Sequence, residues 1–316
     1  MADNSSLKKS REEKNDEFYT NMSDIENEIS RYDLTQFNNK VVYCNCDDPT
    51  WSNFFKFFTK WGKRLGIKEV HFTNYANVNR VFGQINFFDA LELEDSKKDD
   101  KKGIAHHWVF NPQINKIIKK ELKGNGDFRS KECLDILDKA DIVVTNPPFS
   151  LLTQYLKLNI EKNKKFLIIG NENEIASRSW CNYFEQGKIW LGYTHPKEFM
   201  DINGGIKKLG FVCWYTNLDV TYRNEPLILH PQDLSMFEKY DNYDAIEIPK
   251  TKLIPENYWG NMGVPIFFVE KFNPHQFEIV DTRPAYADVP KINGKRKYRR
   301  IIIRRKNELR NRNKNN

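Results

Sequence analysis

Apolar residues gather in short runs along this chain, and the spacing within each run separates strands from helices. Val41–Cys44, Asp141–Thr145, Lys165–Gly170, Lys188–Gly192 and Gly210–Thr216 carry apolar runs of strand length, rich in β-branched and aromatic residues, and Lys68–Tyr75 reads as a further strand. Between them, Ser52–Leu65, Glu132–Lys139 and Leu151–Ile160 repeat their apolar positions at helical spacing. Within Asp16–Tyr32, Phe18 and Tyr19 precede Ile25 and Ile29, which predicts a turn and then a helix. Ser23 with Glu26 reads there as a capping box. Strand–turn–helix–strand order from Val41 to Tyr75 is the first half of a nucleotide-binding α/β unit. Val81–Leu93 and Ile104–Phe110 are expected to form a hairpin with a solvated tip at 94–102. From about residue 193 the rhythm loosens. His195–Leu209 reads as loop, 223–262 is aromatic with little periodicity, and Gly263–Val269, Phe277–Val280 and Tyr298–Ile303 are the last strand candidates.

Composition narrows the class. Of 316 residues, 39% are hydrophobic and 14% aromatic, enough for a sizeable core, while 29% are charged. No apolar run approaches the ~20 residues needed to span a bilayer, and no signal peptide is expected, so the chain reads as a cytoplasmic protein with no membrane partner. Five cysteines lack both a disulfide-like pattern and zinc-ribbon spacing, and His106-His107 has no carboxylate or thiol at ligand distance in the sequence; no metal is expected. Residues 295–316 carry eleven Lys or Arg and one Glu, a net +10, so residues 1–294 carry −3 of the total of +7. A slightly acidic body with a basic end suits contact with a polyanion at one place. A solvated terminus is the plainer reading of the same charge run.

The most informative stretch is Asp141-Ile142-Val143-Val144-Thr145-Asn146-Pro147-Pro148-Phe149. A buried strand must stop where two prolines remove ladder donors, and open α/β sheets bind ligands beyond the carboxyl ends of their strands. Asn146 supplies an amide oxygen and Pro147 a carbonyl, with Phe149 as a flat apolar neighbour. Two acceptors and a stacking ring suit the exocyclic amine of a nucleobase.

Asn-Pro-Pro-Phe resembles the signature of S-adenosylmethionine-dependent amino-methyltransferases. Asp16–Thr20, Val41–Pro49, Gly126–Ser130, Asp141–Ser150, Lys239–Ile246 and Met262–Ile266, in order along the chain, look like the EcoRI-type adenine-N6 DNA methyltransferase family. The resemblance implies a class I methyltransferase fold: a Rossmann-like mixed seven-stranded sheet with helices on both faces, with DNA-recognition insertions and a basic C-terminal tail. It divides the chain into a disordered arm (1–15), a catalytic core (16–222), a target-recognition region with remaining core strands (223–294) and a basic strand and tail (295–316). It implies S-adenosylmethionine as the methyl donor, held by Phe18, Tyr19, Thr20, Asn45, Asp47, Asp48, Asp127 and Phe128. Asn146, Pro147, Pro148 and Phe149 are the expected catalytic residues.

Two features depart from the family pattern. Asn45-Cys46-Asp47-Asp48-Pro49 stands where a glycine-rich turn is usual, and Phe72-Thr73-Asn74-Tyr75 holds no acid for the donor's ribose, leaving Asn74 as a substitute. Asp47 or Asp48 would accept from the donor's ammonium, or would simply cap the following turn; the sequence does not choose. Arg299, Arg300, Arg304 and Arg305 are the candidates for DNA phosphate, and Arg223, Asn203 and Asn224 for base edges. The expected partner is double-stranded DNA, met by a nucleoid-associated monomer that either serves alone or stands beside a cognate restriction endonuclease sharing the site without binding the enzyme. Cytosine-N4 methylation, methylation of RNA or of a protein glutamine, and a catalytically inactive DNA-binding regulator are the alternatives.

Overall fold

The structure is a computed structural model and describes residues 19–76, 104–176, 178–200, 205–282 and 288–306. Phe18, Asn203, the predicted 81–93 strand with its 94–102 tip, the 1–15 arm and residues 307–316 lie outside the described residues. Two compact units are formed: residues 1–171 with 191–219, and residues 172–190 with 220–316.

In the first unit, β1 (Tyr19–Thr20) leads into α1 (Met22–Ile29), which buries Ile25, Glu28 and Ile29. The predicted capping box is not used. Asn21 holds the N-cap position, and its side chain donates instead to the Glu198 carbonyl at 2.7 Å. Next come β2 (Val41–Asn45) and α2 (Asn53–Trp61), then β3 (Glu69–Thr73). Ser52 caps α2 by accepting from Phe54 N–H at 3.1 Å, and Phe54, Phe55, Phe57 and Phe58 form its buried face. β4 (His106–Asn111) and β5 (Lys116–Glu121) follow, then α3 (Lys131–Lys139), β6 (Ile142–Thr145), α4 (Leu152–Glu161) and β7 (Lys165–Asn171). Of the later elements, α5 (Arg178–Glu185) belongs to the second unit, and β8 (Trp190–Leu191), β9 (Glu198–Met200), β10 (Ile206–Lys208) and β11 (Val212–Thr216) complete the strands of this part of the chain.

One mixed sheet has the order β5-β4-β3-β2-β6-β7-β11-β8. Its middle, β3-β2-β6-β7, is parallel, and β4, β5 and β11 join antiparallel. The sheet has eight strands where the resemblance implies seven. The hairpin is also placed differently: the apolar pattern pairs Ile104–Phe110 with 81–93, whereas His106–Asn111 pairs with Lys116–Glu121 and with β3. β5 buries only Ile117, and its lysines suit an exposed sheet edge, so it carries no apolar run to announce it. The predicted 195–209 loop contains β9 and β10, which form a small sheet with β1. β1 thus has its pairing partner some 180 residues downstream, at Phe199 and Met200.

In the second unit, β12 (Ile246–Glu247), β13 (Met262–Pro265), β14 (Phe277–Asp281) and β17 (Arg300–Arg305) form a four-stranded sheet of order β12-β13-β17-β14, and β15 (Lys291–Ile292) pairs with β16 (Lys295–Arg296). Residues 300–305 are an interior strand: Ile301, Ile302 and Ile303 are buried. The predicted 263–269 strand ends at Pro265 and continues as a 3-10 turn over Ile266–Lys271.

Candidate active site

The carboxyl ends of β2, β3 and β6 meet, and Asn45, Asp47, Asp48 and Asn146 converge there with Thr20. Thr145 ends β6, and its Oγ1 lies within hydrogen-bond reach of the Asn45 carbonyl and of Asp47 Oδ2, the latter at 2.6 Å. Asp47 Oδ1 accepts from Ser52 Oγ at 2.8 Å, and the Asn146 backbone N–H also donates to this carboxylate. Asp47 is 3% exposed, and burial pushes its pKa up to about 7 against the pull of these donors, with Asp48 adding to the rise. Its role here is to tie the loop after β2 to the catalytic motif.

Asp48 behaves differently. Its Oδ1 accepts from Thr50 N–H at 2.9 Å and Thr50 Oγ1 at 2.6 Å, an Asx turn, while Oδ2 takes the Asn74 amide at 2.9 Å. Asn74, considered for the ribose, spends its other amide atom accepting from His106 N–H at 2.8 Å. The two neighbouring acids, undecided in the sequence, therefore divide into a buried tie and a half-buried turn former. Cys46 between Asn45 and Asp47 has φ +77°, the left-handed conformation that the expected glycine would adopt.

β1 brings Thr20 to Asn146. The Asn146 Nδ2 donates to Thr20 Oγ1 at 3.2 Å, which turns the amide oxygen to the opposite side, and Asn53 Nδ2 donates to the Thr20 carbonyl at 2.8 Å. Tyr19 packs on Trp51 with ring centroids 4.3 Å apart, and burial with Asp48 nearby lifts its pKa to about 12, so its hydroxyl stays neutral. Pro147 is buried, and Phe149 is half-buried at the start of a 3-10 turn over Phe149–Leu151, where the Pro148 carbonyl accepts from Leu151 N–H at 2.9 Å. Asp127 and Phe128 lie on the loop before α3. Arg129 clasps Asp127 at 2.6 Å, which keeps that carboxyl below the usual range, and Phe128 is buried edge-on against Tyr155 at 5.0 Å. Gly126 has φ +75°, and a Cβ there would collide with the Asn74 carbonyl oxygen, so this loop is pressed against the end of β3.

Trp51, Asn53 and Thr145 escape the sequence patterns. Their signal is adjacency: Asn53 opens the helix after the β2 loop, and Thr145 precedes Asn146. His107, set aside as a metal ligand, bonds His71 across β3 and β4 at 2.9 Å, and burial depresses its pKa to about 4.

The arginines expected at phosphate occupy a different environment. Arg300 forms a two-pronged pair with Glu247, at 2.7 Å from Nη2 and 3.0 Å from Nε. Arg304 pairs with Glu278 at 2.6 Å. Arg305 is 5% exposed, donates to the Glu256 carbonyl and lies 3.9 Å over the Trp259 ring. Arg299 is exposed, in a left-handed conformation at the entry to β17. Three of the four guanidiniums therefore hold the second unit together.

Residues 6–315 match the family model described as adenine-specific methyltransferase EcoRI. The chain belongs to this family. It is 42% identical to the type II methyltransferase M.EcoRI of Escherichia coli, over 96% of this chain and 98% of that protein. It is also 34% identical to the type II methyltransferase M.MgeORF184P of Mycoplasma genitalium, over 92% of this chain and 96% of the relative. Identity to the type II methyltransferase M.MpnI of Mycoplasma pneumoniae is 31%, over 94% of this chain and 97% of the relative. No solved structure matches. As a member of this family the chain is an adenine-specific methyltransferase, and Asn146-Pro147-Pro148-Phe149 sits in it at the mouth of a large mixed α/β sheet. No helix among the described residues is long and apolar enough to cross a membrane.

Proposed function

We propose that this enzyme methylates the exocyclic N6 of adenine at one short sequence in duplex DNA, as the modification member of a type II system, with the target base rotated out of the helix and S-adenosylmethionine as donor. The observation that carries the reading is Asn146, half-buried at the end of β6 with its amide turned by Thr20 and its backbone N–H held by Asp47.

The site fits a cationic donor by charge. Asp48 brings a carboxylate to the loop at the end of β2, Asp127 brings a second one, shared with Arg129, before α3, and Thr20 and Asn146 add neutral polar groups. Asp48 and Asp127 are the groups for its polar ends, with Tyr19 and Phe128 as apolar walls; Phe18, Asn45 and Asp47 complete the set the family resemblance implies. When bound, the donor supplies an electrophilic methyl carbon.

The chain's own residues prepare the nucleophile. An adenine amine is a weak nucleophile because its lone pair is shared with the ring. The Asn146 amide oxygen and the Pro147 carbonyl accept its two hydrogens, which favours a pyramidal nitrogen with an available lone pair. Pro148 keeps the turn rigid and Phe149 stacks on the extruded base, recovering part of the few kcal/mol spent on unstacking. The surplus proton leaves after transfer, so the motif needs no His or Glu. Positioning of this kind can lower a barrier by ~7–11 kcal/mol in favourable cases. A class I methyltransferase core over residues 16–222, base readout from 223–294, a monomeric state and a cytoplasmic, nucleoid-associated location complete the proposal.

Modification-sensitive sequencing of genomic DNA from a methylation-free bacterium expressing the chain, beside its Asn146→Ala variant, tests it. Methyladenine at one motif, reduced at least ~100-fold in rate in a folded variant that still binds donor, is expected by analogy with loss of a single polarising group. Equal methylation by the variant refutes the assignment.

A further inference from the structure

Among the described residues of the second unit, a basic hairpin stands clear of ion pairs. Lys291-Ile292-Asn293-Gly294-Lys295-Arg296 is a hairpin, with Lys291 opposite Arg296 and Ile292 opposite Lys295. Asn293 and Gly294 have φ +50° and +74°, the left-handed pair of a two-residue turn whose twist matches its strands. A two-stranded ribbon this short is not stable alone. Here it is pinned along its length. Asp241 accepts from the Asn293 and Gly294 N–H groups at 3.1 and 2.8 Å, one on each carboxylate oxygen. The Asp241 N–H donates to the Lys291 carbonyl at 2.8 Å, Asn242 Oδ1 accepts from Lys291 N–H at 2.8 Å, and Ile292 is buried with Tyr240, Ala245 and Ile302.

A rigid mount therefore holds Lys291, Lys295 and Arg296 exposed, with half-buried Lys297 and a Tyr298 that is 60% exposed just beyond. Among the described residues none of the first three has an ion-pair partner, in contrast to Arg300 and Arg304. The carboxylate that grips the hairpin, Asp241, has both oxygens occupied by the turn. Lys291 and Arg296 face each other across the ribbon, and like charges directly opposite destabilise a sheet. A fixed, mutually repelling pair of cations is relieved by a polyanion.

We propose that the 291–296 hairpin is a backbone-phosphate contact for duplex DNA, an inference that rests on the DNA reading above. Asp241 and Asn242 act as positioning residues for it. The test uses the full chain and a duplex containing the methylated motif, titrated over a series of salt concentrations. Each phosphate contact contributes about 0.9 to the slope of log affinity against log salt. Lys291→Gln/Lys295→Gln/Arg296→Gln is expected to flatten that slope by about 2.7 and to weaken binding more than about tenfold at low salt, with a thermal midpoint no lower than that of the wild type and donor affinity unchanged. Lys295→Gln alone, at an exposed position, is expected to flatten it by about 0.9. Asp241→Ala adds a net positive charge yet frees the turn, so binding is expected to weaken; tighter binding would overturn the positioning role. An unchanged slope in the folded charge variants overturns the phosphate assignment. A wild-type chain that methylates no duplex removes the DNA reading itself, and the two failures are thereby distinguished.

Discussion

Asp47→Asn separates the electrostatics of this site from its shape. Thr145 Oγ1 has one proton and lies against both the Asn45 carbonyl, which can only accept, and Asp47 Oδ2. A protonated Asp47 satisfies both contacts, by giving its own proton to Thr145, and burial favours that neutral form. With the folded pKa raised to about 7 from an ordinary 3.8, the group's stabilising contribution is complete below the unfolded value and is lost as pH rises through about 7. At about 1.4 kcal/mol per unit, the full window is worth roughly 4 kcal/mol, of which about 2.5 kcal/mol falls between about pH 5 and about pH 8. The asparagine side chain of the variant has the same shape and does not titrate. Urea unfolding of both proteins across that range is expected to show the wild type losing about 2.5 kcal/mol relative to the variant as pH rises. Parallel stability curves would refute the reasoning, because they would mean that Asp47 is ionised in the fold at both ends of the range.

Two further perturbations test how the site is mounted. Glu28 is fully buried and accepts from Tyr32 Oη, Tyr193 N–H, Thr194 N–H and Thr194 Oγ1 at 2.7–2.9 Å, so in Glu28→Gln the new amide must oppose a backbone N–H on either side. A loss of about 2–4 kcal/mol is expected in urea unfolding. Gly126→Ala drives a methyl into the Asn74 carbonyl oxygen at a φ of +75°, so a cost above about 1–2 kcal/mol and weaker donor binding by calorimetry are expected.

The parts of the molecule legible in the sequence are those decided by neighbours in the chain. Ile142–Thr145 is a buried strand because four apolar or β-branched residues end in two prolines, and Asn146 is where that pattern places it. Ser52 starts its helix because a hydroxyl precedes a run of phenylalanines. Other parts answer to distant partners. Ser23 and Glu26 look like a cap, yet the helix starts at Met22 because Asn21 is tied to Glu198. Residues 198–200 become a strand because β1 pairs with them, and 206–208 because they pair with 198–200 in turn. The arginines of β17 look like a phosphate-binding run, but Ile301–Ile303 pull that segment into a sheet whose Glu247 and Glu278 then take up the charge. A charge run reveals its sign, and its availability depends on acids far away in sequence.

The missing glycine at the first turn ties the loop after β2 to Asn146. A side chain in the left-handed region costs roughly 1–2 kcal/mol, and Cys46 bears that cost at φ +77°. A glycine would have removed the strain and left the loop to be shaped by its backbone alone. Here the loop is fixed by side chains on both sides of Cys46. Asn45 Oδ1 accepts from Thr73 Oγ1 at 3.2 Å, Asp47 joins Ser52, Thr145 and the Asn146 N–H, and Asp48 joins Thr50 and Asn74. At about 1 kcal/mol net for each bond, these more than offset the strain. The same bonds run from the end of β2 to the ends of β3 and β6, so the loop cannot shift without moving Asn146. Groups sharing such a network do not contribute additively. The departure from the glycine-rich pattern therefore makes the geometry of the loop after β2 inseparable from that of Asn146.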